Sequence, residues 1–231
     1  MRNVTVVFDK TMKMSDMIDA DYSLLLLLHR LDISLGFGEK TVETVCKDNN
    51  FDADCFVFLA NIQSNGSLVD IDEVFNRLPL EPFLFYLKSS HRYFLEERLP
   101  NIRRKLEVLL SSEESRLKHI ILEFFDNYTK EVHDHMYHEN DVVFPYIETL
   151  LHKGEKTSYS MDIFRDEHND IEEKMNDLKQ ILMKYISGTG TDQLLIINIL
   201  MELYTSEEEL AAHTFIENNL VIPRVAAIEK K

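Results

Sequence analysis

The sequence predicts an all-α protein: an antiparallel up-down four-helix bundle over residues 79–231, preceded by a small helical domain over residues 1–78. Three observations carry this. Glycine and proline are scarce, at 6 and 5 of 231 residues, which suits long helices and short turns better than a many-stranded sheet. After Pro82, four long segments repeat apolar residues at helical spacing. Those four segments also fall into two similar halves that share a short motif.

Along the chain, residues 1–10 alternate weakly through Val4, Val6 and Phe8 and read as an extended tail. Ser15 reads as an N-cap, opening a helix through Met17, Ile18, Tyr22, Leu25 and Leu26 to His29, with Gly36 and Gly38 beyond it as breakers. Short helical stretches fit 39–47, 53–63 and 70–77, and Ser64-Asn65-Gly66-Ser67 parts the last two. Leu78-Pro79-Leu80-Glu81-Pro82 reads as a linker, because each proline biases the residue before it away from helix. The long segments cover about 83–110, 114–152, 160–186 and 191–220. In the second, Leu117, Ile120, Ile121, Phe124, Phe125 and Tyr128 mark one buried face. Ser111-Ser112, Gly154 and Gly188-Thr189-Gly190 separate the segments, and connections this short make neighbours antiparallel. Pro100 falls inside the first segment, where a kink or a break after Leu99 is expected.

Composition bounds the function. With 45% hydrophobic and 29% charged residues the chain forms a core. A net charge of −16 repels phosphate backbones and anionic lipid heads, which disfavours nucleic acid and membrane as partners. The longest apolar run, Leu24–Leu28, is far shorter than the roughly 20 residues of a membrane span. That run can bury against the bundle or against a second copy, and a homodimer is favoured. The N-terminus shows no secretory pattern, so a cytoplasmic location is expected. Cys46 and Cys55 form no CxxC and read as reduced thiols.

The internal repeat carries the chemistry. His135-Met-Tyr-His-Glu139-Asn-Asp-Val-Val-Phe-Pro145 lies over His213-Thr-Phe-Ile-Glu217-Asn-Asn-Leu-Val-Ile-Pro223. His91 precedes His135 by 44 residues, and His168 precedes His213 by 45. Each half thus supplies one lone histidine and one HxxxE. Residues i and i+4 share a helix face, with Cβ atoms roughly 6 Å apart, so each HxxxE offers an imidazole and a carboxylate to one place. Four imidazoles (His91, His135, His168, His213) and two carboxylates (Glu139, Glu217) exceed what one tetrahedral zinc takes. They suit two redox-active ions bridged by carboxylate, iron or manganese by donor type. A lone HxxxE would read as a solvated helix face, and it is the duplication that argues for a metal. No ExxH pair of the ferritin-like kind occupies corresponding places.

Glu131 and Glu209 stand one turn before His135 and His213, and Glu167 precedes His168. Such carboxylates can accept the second ring N–H of a ligating imidazole, or simply lie on a solvated face. His133 and His138 point away from or beside the ligand face, and His29, His119 and His152 read as surface or structural residues.

The lone histidine, the HxxxE with its Phe144-Pro145, Glu167-His168, and the HxxxENN with Val221-Ile222-Pro223 resemble the hemerythrin-like domain over roughly residues 83–225. More closely, they resemble the iron-sulfur cluster repair di-iron (Repair of Iron Centres) family. The resemblance implies two non-haem irons with an oxo or hydroxo bridge, held by His91, His135, Glu139, His168, His213 and Glu217. It also implies a protein of the nitrosative and oxidative stress response, taking NO or oxygen as a small diatomic ligand and damaged iron-sulfur proteins as partners. Residues 11–63 resemble that family's N-terminal domain, except that Asp32–Lys40 lacks its adjacent cysteines. That departure leaves a non-catalytic module binding or sensing oxygen or NO as the second reading, and a structural bundle with incidental zinc as the third.

Overall fold

The protein is described from a computed structural model that covers residues 7–66, 70–111, 116–153, 170–186 and 191–230. Among these residues the regular structure is helical, apart from one antiparallel bridge between Lys13 and Thr41. Two compact units are distinguished, Met1–Ser90 with Ala212–Arg224, and His91–Ala211 with Val225–Lys231. The division at Ala212 falls inside one continuous helix.

In the first unit Val7 is exposed but Phe8 is buried rather than trailing in solvent. The Asn61 side chain accepts the Phe8 N–H at 2.9 Å and donates to the Phe8 carbonyl at 3.0 Å, as a neighbouring strand would. The helix expected from Ser15 to His29 is instead two, α1 (Met14–Ala20) and α2 (Leu24–Arg30). Between them Asp21 is extended, and its carboxylate accepts the Ser23 N–H at 2.9 Å and the Ser64 hydroxyl, a local alternative to helical bonding. Ser15 is not the N-cap. Lys13 holds that place, and the Met14 N–H is satisfied by the Lys40 carbonyl at 3.1 Å.

The capping signal is clearer further on. Thr41 accepts from the Thr44 N–H to open α3 (Val42–Asp48), and Asp52 accepts from the Cys55 N–H to open α4 (Ala53–Asn65). Gly66, at φ +71°, closes α4 in the left-handed conformation. Then comes α5 (Ile71–Arg77), and α6 (Glu81–Arg92) starts at the expected linker. Leu24, Leu27 and Leu28 are all interior here, so the leucine run supplies core. Phe58, Phe75 and Phe83 pack edge-on and tilted, with centroids 4.8–5.6 Å apart. Arg224 donates to the carbonyls of Phe75 (2.9 Å) and Leu78 (2.6 Å) at the end of α5, where the Phe75 carbonyl also accepts the Leu78 N–H. Cys46 and Cys55 are buried free thiols; burial pushes Cys46 up to about 12 and also raises Cys55.

The second unit contains α7 (Leu99–Leu109), α8 (Arg116–His138), α9 (Phe144–Lys153), α10 (Asp170–Tyr185) and most of α11 (Thr191–Ile216), with the end of α12 (Ile222–Glu229). Its charged pairs fix the packing as a closed antiparallel ring. Arg103 of α7 meets Asp126 of α8 at 2.6 Å, and Lys174 of α10 meets Glu131 of α8 at 2.6 Å. Lys179 of α10 pairs with Glu207 of α11, while Lys105 and Asn101 of α7 reach Glu202 of α11 at 2.6 and 3.1 Å. This is the predicted four-helix bundle. Ile121, Phe125 and Tyr128 face its core as their spacing requires, whereas Ile120 lies half exposed at the edge. Ser112, Gly154 and Gly188-Thr189-Gly190, expected as breaks, lie outside the described residues.

Pro100 does not break its helix. A π-helical turn, Tyr93–Arg98, precedes it, and the helix runs on to Leu109. The same device recurs at Glu139–Val143 before Pro145 and at Glu217–Val221 before Pro223, so the last segment continues past 220 to Glu229. In each case the residue before the proline donates five residues back: Leu99 to Phe94, Phe144 to Glu139, and Ile222 to Glu217. A proline has no N–H and its ring crowds the carbonyl four residues earlier; widening the turn relieves that clash without ending the helix.

Asn61 is the tie that seats the Phe8 segment, so Asn61→Ala leaves a buried amide and carbonyl unpaired. The expected cost is about 2 kcal/mol by urea unfolding; a change under about 0.5 kcal/mol would show that the segment is held otherwise.

Candidate metal centre

The repeated motif is placed by the π turns. His135 sits in the last turn of α8, and Glu139 opens the following π turn. His213 and Glu217 stand in the same relation at the end of α11. His91 lies in the last turn of α6, two residues before the first π turn. All three positions therefore fall where a proline widens the helix, a local distortion often found at functional sites.

The carboxylate of Glu139 lies between two imidazoles. Its Oε2 is 3.1 Å from His91 Nε2 and its Oε1 is 2.8 Å from His135 Nε2. Glu139 and His91 are fully buried, and His135 is 14% exposed. His213 Nε2 is 3.8 Å from Glu217 Oε2, with both side chains buried. His91, Glu139 and His213 each offer a ligand atom within 4.8 Å of the others, and so do His135, Glu139 and Glu217. Five of the six residues expected from the sequence are thus brought into groups that can hold a metal. The sixth, His168, lies outside the described residues, as does Glu167.

The donor set fits a cation. His91 Nδ1 is 3.0 Å from Asn140 Oδ1, which can only accept, so Nδ1 carries a proton. In neutral imidazole Nε2 is then a lone pair, and it faces a carboxylate oxygen that is also an acceptor. Two acceptors at this distance in a buried site repel unless positive charge lies between them. Two donors held at roughly 2.1 Å and at right angles around one ion stand about 3.0 Å apart, close to both Glu139 contacts.

Asn140 was visible in the repeated HxxxEN, yet the motif did not disclose its role. It fixes the tautomer and orientation of His91, whose ring also stacks on Phe144 at 5.3 Å. Of the carboxylates expected to do this for the other histidines, Glu131 is placed differently. Glu131 turns to Lys174 on a half-exposed face, which follows from the bundle's need to pair α8 with α10. Glu209 is buried and 3.3 Å from Arg98 Nη2. His133 stacks on the exposed Tyr137 and faces Asp134, away from the centre, and His29, His119 and His152 are exposed.

Glu139→Ala, which removes the residue common to both groups, is expected to abolish stoichiometric metal. Asn140→Ala is expected to weaken metal affinity about 10- to 100-fold through His91. Chelator competition with metal analysis checks both, and full retention in either variant contradicts the geometry.

Two comparisons bear on identity. The sequence profile of the Hemerythrin HHE cation binding domain matches residues 84–225, well over half the chain. No curated protein is similar enough to count as a match. The helical bundle, the paired HxxxE motifs and their buried placement accord with that profile, and the chain belongs to the hemerythrin HHE cation-binding family.

Proposed function

We propose that this is a non-haem di-iron protein of the nitrosative and oxidative stress response, reacting with NO or oxygen species and contributing to the repair of iron-sulfur clusters. The observation that supports it is Glu139, a single buried carboxylate common to both ligand groups. Its two oxygens address different histidines, so it can serve two ions at once. Imidazole and carboxylate together accommodate iron, which when bound supplies an open coordination position and a one-electron redox change. The chain's residues hold and shield that chemistry. His91 and His213 with Glu139 form one cradle, and His135 and Glu217 with Glu139 form the other. His168 is proposed to join them. Phe144 stacks on His91 and covers that ring with an apolar face, and Leu220 and Val221, in the same π turn as Glu217, are buried.

A second reading, a module that binds oxygen or NO reversibly and signals through it, is favoured by the thiols. The Asp32–Lys40 loop has no cysteine, and Cys46 and Cys55 are buried with their pKa values raised, so neither supplies a thiolate at neutral pH. Cluster repair by this chain would therefore proceed without thiol chemistry from its N-terminal unit.

Anaerobic reconstitution with ferrous iron followed by NO titration tests the proposal. Two irons per chain and a new visible absorption on NO addition are expected. A single iron, or a spectrum that NO leaves unchanged, contradicts it. Oxygen uptake that reverses fully on degassing selects the second reading.

A further inference from the structure

We propose that the outer face of α11 is the seat of a homodimer, covered by a second copy of this chain. Leu194, Ile197, Met201 and Tyr204 are 64%, 42%, 64% and 44% exposed. Their spacing of three, four and three residues is that of an a/d seam, the pattern by which one helix accepts knobs from another. The opposite face of α11, through Ile196, Ile199 and Leu203, already fills the core. This part of the helix is apolar on both sides, and a helix of that kind is stable when both sides are covered.

The packing register explains why α10 leaves it uncovered. Tyr204 Oη donates to Met183 Sδ at 3.9 Å, and Lys179, paired with Glu207, lies 4.4 Å over the Tyr204 ring. An antiparallel register with these pairs sets Tyr185, the last residue of α10, opposite roughly residue 202 of α11, so the first few turns of α11 run past the end of α10. Met183 and Tyr185, 44% and 66% exposed, extend the apolar patch at that end.

Area and charge select the occupant. At roughly 200 Å² for a fully exposed side chain of this size, the six residues offer on the order of 650 Å². A standard interface takes roughly 800 Å² from each partner, which a modest rim completes, and isolated patches this large mark interaction sites. The chain carries a net charge of −16, so two copies repel over most of their surface. Between Gln193 and Ser206, however, the only charged residue is Glu202, and Lys105 neutralises it. A basic partner finds no free anion on this stripe. A second copy brings the same uncharged seam, and a two-fold axis makes one patch complementary to itself.

The test is sedimentation velocity on the full chain at about 50 μM. A dimer is expected, and Leu194→Glu with Met201→Glu is expected to raise its dissociation constant by roughly 100-fold while leaving the helical circular dichroism intact. Should the double variant fail to fold, Met201→Lys alone, at a site already largely exposed, is expected to weaken the dimer in the same direction. Leu25→Glu, on an exposed position of the first unit, is expected to leave the dimer unchanged. A wild-type monomer at that concentration overturns the proposal, as does a folded α11 variant that remains as dimeric as the wild type.

Discussion

A carboxylate held out of water between two imidazoles is the constraint on which the rest depends. Glu139 is fully buried, with His91 Nε2 on one oxygen and His135 Nε2 on the other. Removing such a group from water costs several kcal/mol unless positive charge compensates it. Asn140 Oδ1 holds the far nitrogen of His91, so the neutral ring presents a lone pair to the carboxylate. An arrangement so unfavourable for side chains alone is favourable around a cation, and the bundle exists to hold it in place.

The means of holding it are backbone devices. Three prolines would each be expected to end a helix, and each is instead preceded by a π turn in which the helix absorbs an extra residue. Glu139 and Glu217 both open such a turn, and the carbonyl of each accepts its five-residue bond. Around the bundle, ion pairs from α7 to α8, α8 to α10, α10 to α11 and α11 back to α7 fix the order of the helices. The more exposed of these pairs, Arg103–Asp126 and Lys174–Glu131, contribute little stability each, but they discriminate against other registers, while the buried Ile102, Leu106, Phe125, Leu182 and Leu203 drive association.

The bundle was legible because long helices write their period into the sequence, and the metal group was legible because it is duplicated. Other features were hidden for identifiable reasons. Ser15 has the chemistry of a cap, but a tertiary bond from Lys40 already satisfies the helix entrance. Asp21 splits the first helix through partners at Ser23 and Ser64, and Ser64 is 43 residues away where no local pattern reaches. Proline's usual meaning suggested an interruption at Pro100, because the π turn that rescues the helix has no compositional mark. Glu131 shared the spacing of a supporting residue and was drawn instead to Lys174, a choice made by the neighbouring helix. Leu24, Leu27 and Leu28 of the leucine run, which could have served either the fold or a second copy, are interior, and an exposed apolar seam lies on α11, where the overhang past α10 depends on inter-helix register.

The central claim is that two metal ions share Glu139. Anomalous diffraction at the iron edge, from crystals of the iron-loaded protein, tests it most directly. The account predicts two anomalous peaks, one on each side of the Glu139 carboxylate, with His91 and His213 beside one and His135 and Glu217 beside the other. A single peak, or iron bound away from Glu139, would contradict it.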